Sequence, residues 1–276
     1  MQPRLVDKLA VWSTDPLVGS STPGARILLI HGMSEHSGRH IETEQALLQA
    51  GFSVVRFDLR GAGHSGGRRQ WIERFDDYVD DVGAVYRWIC RELEPRPLFL
   101  LGHSLGGAIA ISFLQHYQKA FSGCILSAPA FSLGGAINPL TVAIGKQVVK
   151  LFPTLRVSGN SDKSAISKDP QIVKAFLEDP LCCHTNTLSQ GKAVLDQLPK
   201  LPGIAQQLTL PILILHGSHD KIVRLEGSFE LLQSFKSQDK SLHILPGAYH
   251  EPHHDIESSD YFQSIIFWLN RQLQRS

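Results

Sequence analysis

The residues best placed by type and spacing to do chemistry begin with a serine held between glycines, Gly102-His103-Ser104-Leu105-Gly106, a fit to the pattern G-x-S-x-G. By average composition that pattern arises in about one chain in ten of this size, so its setting has to decide. Leu98-Phe99-Leu100-Leu101 runs straight into it, and the small-residue stretch Gly106-Gly107-Ala108-Ile109-Ala110 leaves it. A strand-to-helix junction of this kind bends so sharply that the serine is pushed out on a strained turn, where side chains at the flanking positions would collide. A plain glycine turn explains the letters but not the setting, and Ser104 is the candidate nucleophile.

A serine hydroxyl attacks only if a base takes its proton, and the base needs a carboxylate to orient it. Behind an elbow of this type the acid and then the histidine follow in chain order, each in a loop after a strand. Asp220 is the candidate acid, just past the apolar run Ile212–His216 in Leu215-His216-Gly217-Ser218-His219-Asp220. Taken alone it would read as a turn-forming aspartate. His250 is the candidate base, past Leu242–Leu245 and the turn Pro246-Gly247. One strand–helix–strand unit separates the two, which brings both loops to the same sheet edge. His253 and His254 share the loop and compete with His250, which stands closest to the strand end, where position is best defined. His103, His116 and His243 read as packed or surface imidazoles. An oxyanion needs preorganised N–H donors. The backbone of Leu105, at the start of the following helix, is one candidate, and Met33 in His31-Gly32-Met33, after an earlier strand, is the second.

His250-Glu251-Pro252-His253-His254 also spells H-E-x-x-H, the mark of a zinc metallohydrolase. That motif needs a helix interior to bring both histidines to one face, and Pro252 in its centre removes a helix hydrogen bond and clashes with the preceding turn. The match is read as chance.

These loops must hang on a scaffold. Arg26–His31, Phe52–Asp58, Leu98–Leu101, Cys124–Ser127, Ile212–His216 and Leu242–Leu245 are short and apolar almost throughout, as strands of a parallel sheet covered on both faces should be. Phe75, Val79, Val82, Tyr86, Ile89 and Leu93 recur at three or four residues and predict a helix face. Further helical stretches follow Ser104, run from Leu225 to Phe235 and close the chain from Tyr261 to Leu273. The alternation predicts a doubly wound α/β sheet. It breaks over 131–205, too long for an ordinary connection and without a convincing strand. That stretch is read as an inserted helical cap, with 1–130 and 206–276 forming the core. Leu140, Ile144, Val148, Leu151 and Leu155 repeat there at helical spacing, with Val142 and Val149 beside the stripe. Such a helix either packs on the core or faces lipid or a pocket.

A chain of 276 residues, 42% apolar and 19% charged, can bury a sizeable core. A net charge of +1, with Arg68-Arg69 as the densest basic spot, gives no footprint for nucleic acid. The opening Met-Gln-Pro-Arg-Leu-Val-Asp-Lys has no apolar run of signal-peptide length, and no stretch approaches the roughly 20 apolar residues of a membrane span. Cys90, Cys124, Cys182 and Cys183 show no C-x-x-C spacing and read as reduced thiols. The expectation is a cytoplasmic protein, able to work peripherally at a membrane surface.

The chain resembles the monoacylglycerol lipase and lysophospholipase branch of the α/β-hydrolases over most of its length. His31-Gly32-Met33-Ser34-Glu35-His36-Ser37-Gly38-Arg39 is similar to that branch's oxyanion loop, and Asp58-Leu59-Arg60-Gly61-Ala62-Gly63-His64-Ser65 to its second-strand turn. The same holds for the elbow Gly102-His103-Ser104-Leu105-Gly106-Gly107 and for Ser167-Lys168-Asp169-Pro170 with Asp179-Pro180-Leu181 in the cap. Gly247-Ala248-Tyr249-His250 resembles the loop of the catalytic histidine, favouring His250 over His253 and His254. The resemblance implies an α/β-hydrolase fold, mostly parallel with helices on both faces and an inserted cap. It also implies hydrolysis of single-acyl lipid esters through an acyl-enzyme, with no metal or organic cofactor, and cap contact with a membrane. A short-chain carboxylesterase, a hydrolase of an activated carbon–carbon bond and a non-catalytic lipid-binding protein are the alternatives. Two departures stand out: the segment before the first strand is short, implying a trimmed leading hairpin, and Cys182-Cys183 occupies a variable part of the cap where substrate could touch.

Overall fold

The computed structural model describes residues 2–16, 24–131, 148–158, 162–256 and 258–275. In chain order its elements are β1 (Arg4–Val6), β2 (Leu9–Thr14), β3 (Arg26–Ile30), α1 (Ile41–Gln49), β4 (Ser53–Phe57), α2 (Asp76–Glu92), β5 (Leu98–His103), α3 (Leu105–Tyr117) and β6 (Gly123–Ser127). There follow β7 (Arg156–Ser158), α4 (Pro170–Glu178), β8 (Thr185–Thr187), α5 (Leu188–Gln197), α6 (Leu201–Ala205), β9 (Ile212–Gly217), α7 (Leu225–Ser234), β10 (Lys240–Leu245) and α8 (Ser258–Leu273).

Eight strands form one sheet in the order β1-β2-β4-β3-β5-β6-β9-β10. Its β1–β2 and β2–β4 pairs are antiparallel and the rest parallel. This is the α/β-hydrolase fold. The continuous apolar runs follow from burial on both faces, since neighbouring residues of a strand point to opposite sides. Leu28, Ile30, Leu100, Leu126 and Ile214 enter one core with α2 and α3, while Ile27, Leu29, Leu101, Ile125 and Leu213 enter another with α1 and α8.

Chain order reverses at β3, which has β4 on one side and β5 on the other, leaving a crevice beyond the strand ends where ligands bind in such sheets. Ile30 pairs with both Phe57 and Gly102, so β3, β4 and β5 end level. Ser127 pairs with His103 and Leu215, and Gly217 with Leu245, carrying that edge across β6 and β9 to β10. The loops bearing Met33, Ser104, Asp220 and His250 therefore leave one edge.

Three expectations need correction. The leading hairpin is present, as β1 and β2, and it turns at Asp7 and Lys8 with φ of 46° and 71°. A tight turn with two positive φ values normally announces itself through Asn-Gly or Asp-Gly, and Asp-Lys hides it. The 131–205 stretch contains two strands, β7 and β8, in a small antiparallel ribbon pairing Arg156 with Thr187 and Ser158 with Thr185. They are too short and too exposed to show as apolar runs. The buried face of α2 centres on Tyr78, Val82, Val85 and Ile89, while the expected Val79, Tyr86 and Leu93 lie at its partly buried border. Leu140 and Ile144 of the apolar stripe, and Val142 beside it, lie outside the described residues. Of its remainder, Leu151 and Leu155 are exposed.

Candidate active site

Ser104 occupies the turn between β5 and α3 with φ 51° and ψ −115°, a conformation that costs a side-chain-bearing residue about 1–3 kcal/mol. The turn is held from both sides: the Ser104 N–H donates to the Ser127 carbonyl, and the Ser104 carbonyl accepts from Gly107 and Ala130, all at 2.9 Å. Glycine is required at both flanks, because a Cβ on Gly102 would strike the Gly106 carbonyl and one on Gly106 the Ile30 carbonyl. Although Ser104 is the N-cap of α3, its hydroxyl makes no capping bond and faces His250 instead.

His250 Nε2 lies 3.0 Å from Ser104 Oγ, and His250 Nδ1 lies 2.7 Å from Asp220 Oδ2. The other Asp220 oxygen accepts the Ile222 and Val223 N–H groups at 2.8 and 2.9 Å. Burial opposes charge on Asp220, but the His250 charge and hydrogen bonds from His216 and His250 outweigh it and hold the carboxyl well below its ordinary range. Burial likewise disfavours the imidazolium of His250, yet the Asp220 carboxylate wins and raises that pKa. This relay can draw a proton from Ser104 while Asp220 stays ionised. His216, fully buried 3.3 Å from Asp220, is a member of the site that the sequence did not disclose. A lone histidine at a strand end carries no distinguishing signal.

The two N–H groups expected to face an oxyanion belong to neighbouring segments. Leu105 opens α3, at the positive end of its dipole. The loop after β3 lies against the nucleophile, since a Cβ on Gly32 would come within 3.3 Å of the Ser104 Cβ. Among the described loop residues neither N–H is committed to a backbone carbonyl. The loop is braced from within and from below: Gly32 N–H donates to Glu35 Oε1 at 2.5 Å, and Asp58 accepts the Ser37 N–H and hydroxyl at 2.8 and 2.7 Å.

The rival histidines sit elsewhere. His253 is fully buried and stacks on His40 with centroids 4.5 Å apart, and burial holds its pKa well below the ordinary value. His254 Nδ1 lies 2.7 Å from Glu251 Oε2. His103, beneath the nucleophile, is kept neutral by burial, its pKa lowered to about 3. His116 is exposed and His243 half-buried.

Segment 179–186, running from the end of α4 into β8, is fastened to the β3 loop. His36 Nε2 lies 2.9 Å from Asp179 Oδ2, the Cys183 N–H donates to the Ser34 carbonyl at 2.9 Å, and Ser34 Oγ donates to Asn186 at 3.2 Å. Segment 165–168 is fastened to the His250 loop through the Glu251 N–H, which donates to the Ile166 carbonyl at 2.7 Å.

Among the described residues two groups could supply metal ligands, His36 with Asp179 and Cys182, and Glu251 with His253 and His254. In the first, His36 Nδ1 accepts the Gly38 N–H at 3.2 Å, so Nε2 carries the ring proton that Asp179 receives, and a cation there would break both bonds. In the second, the Arg39 guanidinium already sits 2.5 Å from Glu251 and 3.4 Å from His254. Pro252–His254 form a single 3-10 turn, so the H-E-x-x-H letters never align on one helix face.

Comparison with known proteins places these features among relatives. The family described as serine aminopeptidase S33 matches residues 21–257. The monoacylglycerol lipase of Mycolicibacterium smegmatis is 32% identical over 94% of this chain and 91% of its own. The monoglyceride lipase of Homo sapiens is 32% identical over 92% and 84%. The crystal structure of Paleococcus ferrophilus monoacylglycerol lipase superposes with a TM-score of 0.86 at 28% identity, covering 97% of this chain and 99% of that one.

Proposed function

Because the chain belongs to the serine aminopeptidase S33 family of α/β-hydrolases, and within it to the monoacylglycerol lipase-like members, we propose that it hydrolyses carboxylic esters of single-acyl lipids, monoacylglycerols or lysophospholipids, through a Ser104-His250-Asp220 triad. Ser104 Oγ attacks the ester carbonyl as His250 Nε2 takes its proton. Leu105 and Met33 N–H groups receive the oxyanion, and His250 returns the proton to the leaving alcohol. Water, deprotonated in turn by His250, releases the fatty acid from the acyl-enzyme. The observation that carries this reading is the unbroken line from Ser104 through His250 to Asp220, at 3.0 and 2.7 Å.

Substrate class rests on the relatives' names and on the 131–205 region, which we read as a cap roofing the site. Its packing suggests where cap gives way to core. Ile166, Phe176 and Cys182 form a small cluster of their own, whereas Ala193, Val194, Leu198, Leu201 and Ile204 of α5 and α6 join the main core. The roof then ends near β8, before the 205 boundary. Leu151, Phe152, Leu155, Val157 and Leu177 leave apolar surface on it exposed, suited to peripheral contact with a lipid surface. Among the described residues no helix is long and apolar enough to cross a membrane.

The test is a panel of monoacylglycerols, lysophospholipids and p-nitrophenyl esters of graded length. Wild type should prefer medium or long single chains, and Ser104→Ala should lose activity on all of them by several orders of magnitude. Preference for acetyl and butyryl esters would favour a short-chain esterase. Undiminished turnover by Ser104→Ala would refute the nucleophile.

A further inference from the structure

The letters H-E-x-x-H leave Glu251, His253 and His254 directly after the candidate base in its own loop, with no part in the triad. Glu251 is the residue after His250 and is 4% exposed. Its Oε2 meets Arg39 Nη2 at 2.5 Å, and Arg39, 8% exposed, belongs to the β3 loop that carries Met33. The same oxygen meets His254 Nδ1 at 2.7 Å, while Arg39 Nε reaches Glu35 Oε2 at 3.5 Å. Glu35 in turn holds the Gly32 N–H, beside Met33, and His40 Nε2 at 3.1 Å. A chain of charged and polar contacts, in which Arg39 and Glu35 are joined by charge at 3.5 Å and not by a hydrogen bond, thus runs from the residue adjoining the general base to the peptide adjoining the expected oxyanion donor.

We propose that Glu251 is a positioning residue, and that its buried ion pair with Arg39 sets the distance between the His250 loop and the oxyanion loop. The proposal rests on the triad reading above. A buried pair of this kind contributes less to stability than to geometry, because desolvation offsets most of its attraction, whereas removing one partner strands the other charge. Burial works against the Glu251 charge, but the His254 hydrogen bond and the Arg39 guanidinium outweigh it and keep the carboxyl below its ordinary value. Arg39 is the cation of the cluster, which gives the H-E-x-x-H letters a use without zinc.

His250 is faced by Asp220 from the β9 loop, Glu35 from the β3 loop, His103 from β5 and Glu251 from its own loop. Both glutamates and Asp220 favour its imidazolium. Removing the Glu251 charge therefore lowers the His250 pKa as well as loosening its loop.

The experiment compares wild type, Glu251→Gln, Arg39→Gln, the double variant and Ser104→Ala, measuring kcat and KM against pH on one soluble long-chain ester, with a thermal midpoint for each. We expect each single variant to lose roughly ten- to a hundredfold in kcat with KM within about twofold. The double variant should be no worse than the poorer single, as for two residues acting as a unit. The acid limb of kcat/KM should move to lower pH in Glu251→Gln. Arg39→Lys, which keeps the charge, should recover part of the loss and serves if Arg39→Gln fails to fold. Multiplicative losses, or wild-type kcat with an unmoved acid limb in a folded Glu251→Gln, would overturn the proposal. Activity surviving in Ser104→Ala would instead overturn the triad.

Discussion

At the scale of single residues, the site turns on how one aspartate tunes one histidine. Burial alone would make His250 a weak base, and the Asp220 carboxylate reverses that. Only neutral imidazole can accept the Ser104 proton, so kcat/KM should fall as pH drops through a midpoint above the ordinary value of about 6.5. Asp220→Asn should shift that midpoint to lower pH and cut kcat by about four orders of magnitude, since the amide favours the wrong tautomer. A pH–rate profile of both proteins checks the sign. Ser104, Asp220 and His250 were legible because each follows a strand end, where apolar runs announce position. His216 and the Arg39–Glu251 pair were not, because their meaning comes from partners 4 and 212 residues away.

At the scale of elements, the β3 loop joins three parts of the molecule. Asp58 fixes it to the β4 turn, Arg39 ties it to the His250 loop, and His36 with Ser34 ties it to segment 179–186. Release of segment 179–186 would also free the peptide carrying Met33. Asp179 is held below its ordinary pKa: burial raises it, but the His36 hydrogen bond and the Leu181 N–H prevail. Asp179→Asn should keep the triad intact, raise hydrogen exchange of residues 181–187 and 33–36 several-fold, and weaken KM more than kcat. Unchanged exchange there would show that the clasp does not hold the two segments together. Period and composition exposed the long buried strands and α2, whereas β1, β7 and β8 escaped notice because three-residue, largely exposed strands have no apolar signature, and the six-residue β2 went unread with its partner β1.

At the scale of the whole molecule, the sheet does two separable things. Its doubly buried centre, β3 through β9, supplies a rigid edge from which four loops rise level, and its topological reversal at β3 opens the crevice they share. The alternation of strands and helices made this architecture readable in advance. The region between β6 and β9 was readable only as an interruption, because its packing depends on loops distant in the chain. The proposed reaction depends above all on Ser104 being the group that carries the acyl chain. The most direct measurement is peptide mapping by mass spectrometry after reaction with a long-chain fluorophosphonate that mimics a single-acyl ester. One adduct, on the peptide containing Ser104, lost in Ser104→Ala and slowed in His250→Ala, is the predicted result. An adduct on another residue, or none in a protein that still cleaves the ester, would contradict it.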